Sequence, residues 1–166
     1  VSISYLEGYY YKPRTDLKLL EKYHEGIICL SACVNGYVTE PLVKGEDSNG
    51  EERAIALSKI FGEGNFYFEI QRHIDVPPQK VANEKLITLS KKLGLPLVAT
   101  NDNHYTKPDD AEAQEILLCI QTQTTILDKT RKLSKLSSPD FYIKSADEMA
   151  ELFQDIPEAV ENTVKI

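Results

Sequence analysis

No apolar run in the 166-residue sequence approaches the length a bilayer demands, and no charged-then-apolar leader precedes the first segments. Both absences predict a soluble, cytoplasmic protein with no membrane partner. Basic residues are in deficit, with 19 Lys and Arg against 26 Asp and Glu and a net charge of -7. Affinity for a phosphate backbone comes mainly from accumulated lysine and arginine, so this balance argues against a stand-alone nucleic-acid binder and confines any DNA contact to a local patch or to missing partners. Cysteine is sparse, and its count of 3 is odd, as expected in a reducing compartment. The sequence has no internal repeat, no low-complexity tract and no initiator methionine. Val1-Ser2-Ile3-Ser4-Tyr5 reads as the middle of an apolar helix, which predicts an excised piece of a longer chain.

Hydrophobic side chains make up 42% of the residues, enough for one core, although 166 residues are few for a complete closed α/β barrel. A single domain, or part of one, is expected. Leu17, Leu20 and Tyr23 lie at helical spacing between Asp16 and Tyr23, Gly26 ends that helix, and Ile27 to Leu30 reads as a short apolar strand. After a polar loop rich in Gly, Asp, Ser and Asn, a helix from Glu51 to Phe61 places Ala54, Leu57 and Phe61 on one face and stops at Gly62 and Gly64. Phe66 to Gln71 is aromatic and alternates at its end, so it reads as a strand. Pro77 and Pro78 open a helix striped with Ala82, Leu86, Leu89 and Leu93, Gly94 closes it, and Leu95 to Thr100 forms the next strand. This alternation predicts an α/β fold of parallel βαβ units with right-handed crossovers, in a barrel or an open sheet.

Farther on, Pro108-Asp109-Asp110 starts a helix carrying Ala113, Ile116, Leu117 and Ile120, with Cys119 as a small buried hydrophobe. Thr122 to Asp140 is polar and basic, a surface connection. Ser145 to Glu148 reads as a capping box, and Asp155 to Glu158 is expected to repeat it.

The most informative string is Ala99-Thr100-Asn101-Asp102-Asn103-His104-Tyr105. In an extended chain, Asp102 and His104 project to one side and Asn101 and Asn103 to the other, so a hard oxygen and a borderline nitrogen converge. An isolated Asp-x-His is ordinarily a turn with a packed or capping histidine. Here the pair ends a short buried strand, and in α/β folds the carboxyl ends of strands carry the chemistry. A second strand ends in Ser31-Ala32-Cys33 and offers a thiol at the corresponding place. Cysteine, aspartate and histidine together suit zinc or a similar divalent ion.

The strings Gly26-Ile27-Ile28-Cys29-Leu30-Ser31-Ala32-Cys33, Phe66-Tyr67-Phe68-Glu69-Ile70-Gln71-Arg72-His73 and Leu95 to Tyr105 resemble, in order, the PHP (polymerase and histidinol phosphatase) domain family as carried by the bacterial DNA polymerase III alpha subunit. Phe141 to Ser145, Glu148 to Phe153 and Ile156 to Thr163 are similar to that subunit's continuation, and Gly8 to Arg14 to its entry segment. The resemblance implies a distorted seven-stranded (β/α) PHP barrel whose amino-terminal strands are missing from this fragment. Residues 1 to about 125 would be the carboxyl-terminal part of that domain, and about 126–166 the start of the connection to the polymerase core. It also implies a divalent metal cluster of zinc, manganese or magnesium at the strand ends, with Cys33, Asp102 and His104 at family ligand positions. The family's other ligands lie upstream and are absent here, so the fragment is expected to hold one weak site or none, to be inactive alone, and to compensate by dimerising or rearranging.

Other residues carry weaker readings. His73, with Arg72 beside it, suits a place behind the metal ligands, orienting them, or on a substrate phosphate, or else an exposed loop. His24 is a favourable charge at a helix end and has no assigned function. Tyr9-Tyr10-Tyr11-Lys12-Pro13-Arg14 is read as packing ahead of stacking on single-stranded DNA. Lys129, Arg131, Lys132 and Lys135 form a basic loop, read as solvated surface ahead of a DNA contact. Three functions follow from the resemblance: part of a replicative polymerase, with DNA, deoxynucleotides, a proofreading exonuclease and a sliding clamp as partners and a metal site that is either a 3′-to-5′ proofreading exonuclease or a remnant; a structural docking domain of the same enzyme; or a stand-alone phosphoesterase such as histidinol phosphatase.

Overall fold

The computed structural model of the protein describes residues 1–74, 76–128 and 139–166. Helix α1 (Ser2–Leu6) forms where an apolar helix is expected, but it buries no residue. It leads into a small antiparallel ribbon, β1 (Tyr9–Tyr10) and β2 (Lys12–Pro13). Helix α2 (Leu17–Lys22) is capped by Asp16, whose carboxylate accepts from the Leu19 amide at 2.8 Å. The strand expected over Ile27 to Leu30 shortens to β3 (Cys29–Leu30).

The expected polar loop after β3 is largely helical. It contains α3 (Thr39–Val43), and α4 (Asp47–Phe61) begins four residues before the expected Glu51. The cause is packing at Gly50, where an added Cβ would meet the Leu42 side chain at 2.4 Å. A residue that reads locally as a loop glycine is therefore a point of close helix approach.

β4 (Phe66–Gln71), α5 (Pro77–Leu93) and β5 (Leu97–Thr100) follow the sequence periodicity closely, with Gly94 taking the left-handed conformation that ends α5. β3, β4 and β5 form a parallel sheet in that order, with Leu30 opposite Tyr67 and Gln71 opposite Thr100. The fold is thus α/β with parallel βαβ units, a portion of a (β/α) barrel wall. Central β4 is buried along nearly its whole length, as a parallel strand covered on both faces must be.

Its two faces differ. Phe66, Phe68 and Ile70 join Leu97 and Ala99 in the main apolar core with Leu57, Phe61, Leu86 and Leu89. Glu69 and Gln71, alternate with these, build a polar network on the other face. The Gln71 amide donates to Glu69 at 3.1 Å and to the Thr100 hydroxyl at 3.2 Å.

A 3-10 turn (Pro108–Asp110) precedes α6 (Ala111–Thr122). Cys119 is buried as expected, whereas Ile116, Leu117 and Ile120 are exposed on the apolar stripe. α7 (Ala146–Leu152) carries the expected capping box of Ser145 and Glu148. α8 (Pro157–Glu161) does not repeat it: Ile156 is its N-cap and no side chain bonds there. The Asp155 carboxylate is held instead by Arg72, through bonds of 2.6 and 2.7 Å. Phe153, Ile156 and Ala159 complete the main core, and Asn162 donates to the Leu97 carbonyl at 2.8 Å. Among the described residues no helix is long and apolar enough to cross a membrane.

Phe153 is fully buried in that core, so Phe153→Ala should cost about 3–5 kcal/mol of unfolding free energy. Urea denaturation checks this. A loss within about 0.5 kcal/mol, the usual range for surface changes, would show that the carboxyl-terminal helices do not share the core.

Candidate metal centre

Parallel pairing puts the carboxyl ends of β3, β4 and β5 on one edge of the sheet. Ser31 to Cys33, Arg72 and His73, and Asn101 to His104 therefore leave the sheet on the same side.

The turn after β3 is tightly constrained. The Glu69 amide donates to the Ser31 hydroxyl at 2.8 Å, and the Gly36 amide donates to the Cys33 carbonyl at 2.8 Å. A Cβ at Gly36 would lie 2.2 Å from the Ser31 carbonyl oxygen and 3.0 Å from that of Cys33. Only glycine lets the chain fold this closely around the half-buried Cys33.

After β5 the backbone does not stay extended. Asp102 adopts φ +50°, which ends the strand alternation expected to aim Asp102 and His104 to one side. The two meet through a turn instead, with His104 Nδ1 2.7 Å from the Asp102 carbonyl oxygen. A carbonyl only accepts, so Nδ1 carries the hydrogen and the neutral ring keeps its lone pair on Nε2, the arrangement of a metal-ligating imidazole. The Asn101 side-chain amide donates to the Asn103 side-chain oxygen at 2.9 Å.

His73 sits next to this turn. Its ring stacks on Phe141 at 4.1 Å between centroids, and His104 meets the same phenyl edge-on at 5.5 Å. Both His73 ring nitrogens are buried with no hydrogen-bond partner among the described residues, an arrangement that costs on the order of 1–3 kcal/mol per polar group. Burial pushes the His73 pKa down, and the nearby Lys144 charge adds to this. The Asp102 and Asp140 carboxylates pull the other way, and His104 lowers it slightly.

Among the described residues no three of His, Cys, Asp and Glu come close enough together to hold a metal ion. The donor types, and the Nε2 of His104 that has no hydrogen bond among the described residues, fit one wall of a divalent centre. The described residues by themselves do not close it.

A family model for the PHP domain matches residues 1–73. The chain is 47% identical over 165 residues to the DNA polymerase III subunit alpha of Borreliella burgdorferi and 45% identical over 165 residues to that of Treponema pallidum, each match covering 99% of this chain. It is 43% identical over 148 residues to the Deinococcus radiodurans protein of the same name, covering 89% of this chain. Residues 1–73 belong to the PHP domain family. It spans 14% of the length of the first two relatives and 11% of the third.

Of the other residues read from the sequence, some keep and some depart from the role expected of them. Arg72, expected beside a phosphate with His73, has its guanidinium engaged by Asp155, donates to the Leu152 carbonyl at 2.6 Å and lies over the Phe153 ring. His24 Nδ1 bonds the Glu21 carbonyl at 2.8 Å at the end of α2, the helix-end role expected of it. Tyr9, Tyr10 and Tyr11 are exposed rather than packed, because the short ribbon carries them away from the core. The basic loop with Lys129, Arg131, Lys132 and Lys135 lies outside the described residues. Cys29 is half-buried, and burial pushes its thiol up to about 11, so it stays protonated.

Sequence reading missed the residues that cross over the strand ends from the carboxyl-terminal side. Asn101 donates to the carbonyls of Asp140 and Tyr142 at 3.3 and 2.7 Å, and its own oxygen accepts from Lys144 at 3.0 Å. Asp140 accepts from the Ile74 amide at 2.6 Å. The single local signal was the buried Asn101, an amide at a strand end whose partners lie 39 and 41 residues away.

His73 is less basic folded than free, so the unfolded chain takes up its proton first. The stabilising contribution is complete above the free-histidine pKa of about 6.5 and is lost as pH falls toward and through the lowered folded value. Thermal melts should therefore drop on acidification below about pH 6.5, and His73→Phe, which keeps the stacked ring, should flatten that dependence. An identical pH profile in the variant would refute the assignment.

Proposed function

We propose that the chain is the carboxyl-terminal portion of the PHP domain of a bacterial replicative DNA polymerase, a DNA polymerase III alpha subunit acting in the cytoplasm, and that Cys33, Asp102 and His104 border a divalent-metal centre whose remaining donors lie outside this chain. The observation that carries the reading is the turn at Asp102. It locks the His104 tautomer with Nε2 open, on the same sheet edge as Cys33. The DNA polymerase III alpha relatives matched along the chain support the wider context.

Zinc or a similar ion bound there would supply a hydroxide near neutral pH and neutralise phosphoryl charge, the chemistry of phosphodiester hydrolysis. This chain's own residues supply donors and their orientation: a thiol held by the Gly36 turn, and a carboxylate and an imidazole held by the turn after β5. Nucleotide addition would belong to the remainder of the intact protein. A second reading, a docking module without hydrolysis, is favoured by the exposed apolar stripe Ile116, Leu117 and Ile120 on α6.

The test uses the full-length polypeptide. Zinc retained after desalting should fall at least tenfold in Asp102→Asn and in His104→Gln, since even residues outside the ligand shell cost about 10–100-fold in affinity when changed. Equal retention in both variants would overturn the metal assignment. Metal-dependent 3′-to-5′ degradation of single-stranded DNA, abolished by Asp102→Asn while primer extension persists, distinguishes the hydrolase from the docking module. The isolated chain should show no nuclease activity.

A further inference from the structure

We infer that Phe141 is the positioning residue of this strand-end site: one phenyl ring sets both His73 and His104, and Asn101 sets the ring. The inference rests on the proposed donor role only for what the imidazoles are positioned to do. The positioning itself stands on the contacts.

Phe141 is 4% exposed. Its ring lies nearly parallel to that of His73, at 19°, and nearly perpendicular to that of His104, at 88°. Its carbonyl accepts from the His104 amide at 2.8 Å and from the Tyr105 amide at 3.3 Å, while its own amide donates to the Tyr105 hydroxyl at 3.2 Å. Ring and backbone of one residue thus hold the same histidine from two directions. His73 depends on the ring still more, because among the described residues neither of its nitrogens has a hydrogen bond to fix the imidazole.

Asn101 fixes Phe141 by bonding the carbonyls on either side of it, those of Asp140 and Tyr142. The Lys144 ammonium bonds both Asn101 Oδ1 and the Asp140 carbonyl, closing a ring of contacts around the phenylalanine. Asp140 also reaches the Ile74 amide, next to His73. Any displacement of residues 140–144 would therefore move both imidazoles together.

The experiment is NMR of the chain with isotopically labelled histidine rings, compared among the parent, Phe141→Ala, Phe141→Tyr and Asn101→Asp. His24, bonded to α2, serves as an internal control. Phe141→Ala should release His73 from the ring-current shift of the stacked phenyl and disturb the His104 signals, whereas Phe141→Tyr should keep both. Asn101→Asp, which replaces an amide donor with a carboxylate facing two carbonyls, should reproduce the disturbance with the phenyl still present. It carries the test if Phe141→Ala fails to fold. In the full-length protein, Phe141→Ala should lower zinc affinity about 10–100-fold, the usual effect of losing an orienting partner, with Phe141→Tyr close to the parent. Unchanged His73 and His104 signals in both Phe141→Ala and Asn101→Asp would overturn the inference. Shifted signals in a protein that binds no zinc would support the positioning and defeat the donor role.

Discussion

Hydrogen bonding on both edges of β4, to β3 and to β5 in the same direction, is the constraint on which the rest depends. Antiparallel pairing would reverse β4 against both neighbours and carry Arg72 and His73 to the edge opposite Cys33 and the turn at Asp102. Parallel pairing requires a crossover helix between successive strands, and α4 and α5 supply these while covering the apolar face made by Phe66, Phe68 and Ile70. The same geometry leaves the polar face of β4, with Glu69 and Gln71, beneath the donor edge.

The donor edge is organised by acceptors more than by charges. Backbone carbonyls fix the His104 tautomer, bracket Phe141 through Asn101 and hold the Cys33 turn. Carbonyl positions move only when the backbone moves, so such a site is more rigid than one built on flexible ion pairs. The half-exposed Arg72–Asp155 pair, worth at most about 1 kcal/mol at such a location, matters for where it holds α7 and α8 rather than for its strength.

Elements set by local periodicity were legible in the sequence. β4, α5 and β5 show their apolar spacing, their opening prolines and the Gly94 stop within a short window, and Ser145 with Glu148 forms a cap across three residues. The failures share one physical cause, a partner distant in the chain. Gly50 reads as loop until Leu42 is packed on it, and Asp155 reads as a cap until Arg72 takes its carboxylate. The Asp-x-His motif was visible, but its left-handed turn was not, since non-glycine residues enter that region only when their surroundings compel them. Phe141 carried no signal at all: its role consists of contacts with two histidines, one of them 68 positions earlier in the chain.

The bond between Arg72 and Asp155 spans 83 residues, and Phe153 enters a core begun by Val38 and Leu42. A ribosome delivers the strands well before it delivers that ring. During synthesis β3, β4 and β5 would wait with one part of their apolar face uncovered until α7 and α8 arrive. The order of manufacture therefore makes the carboxyl-terminal segment the latch of the fold, and the interval before it closes is when the chain is most exposed to aggregation and to chaperones.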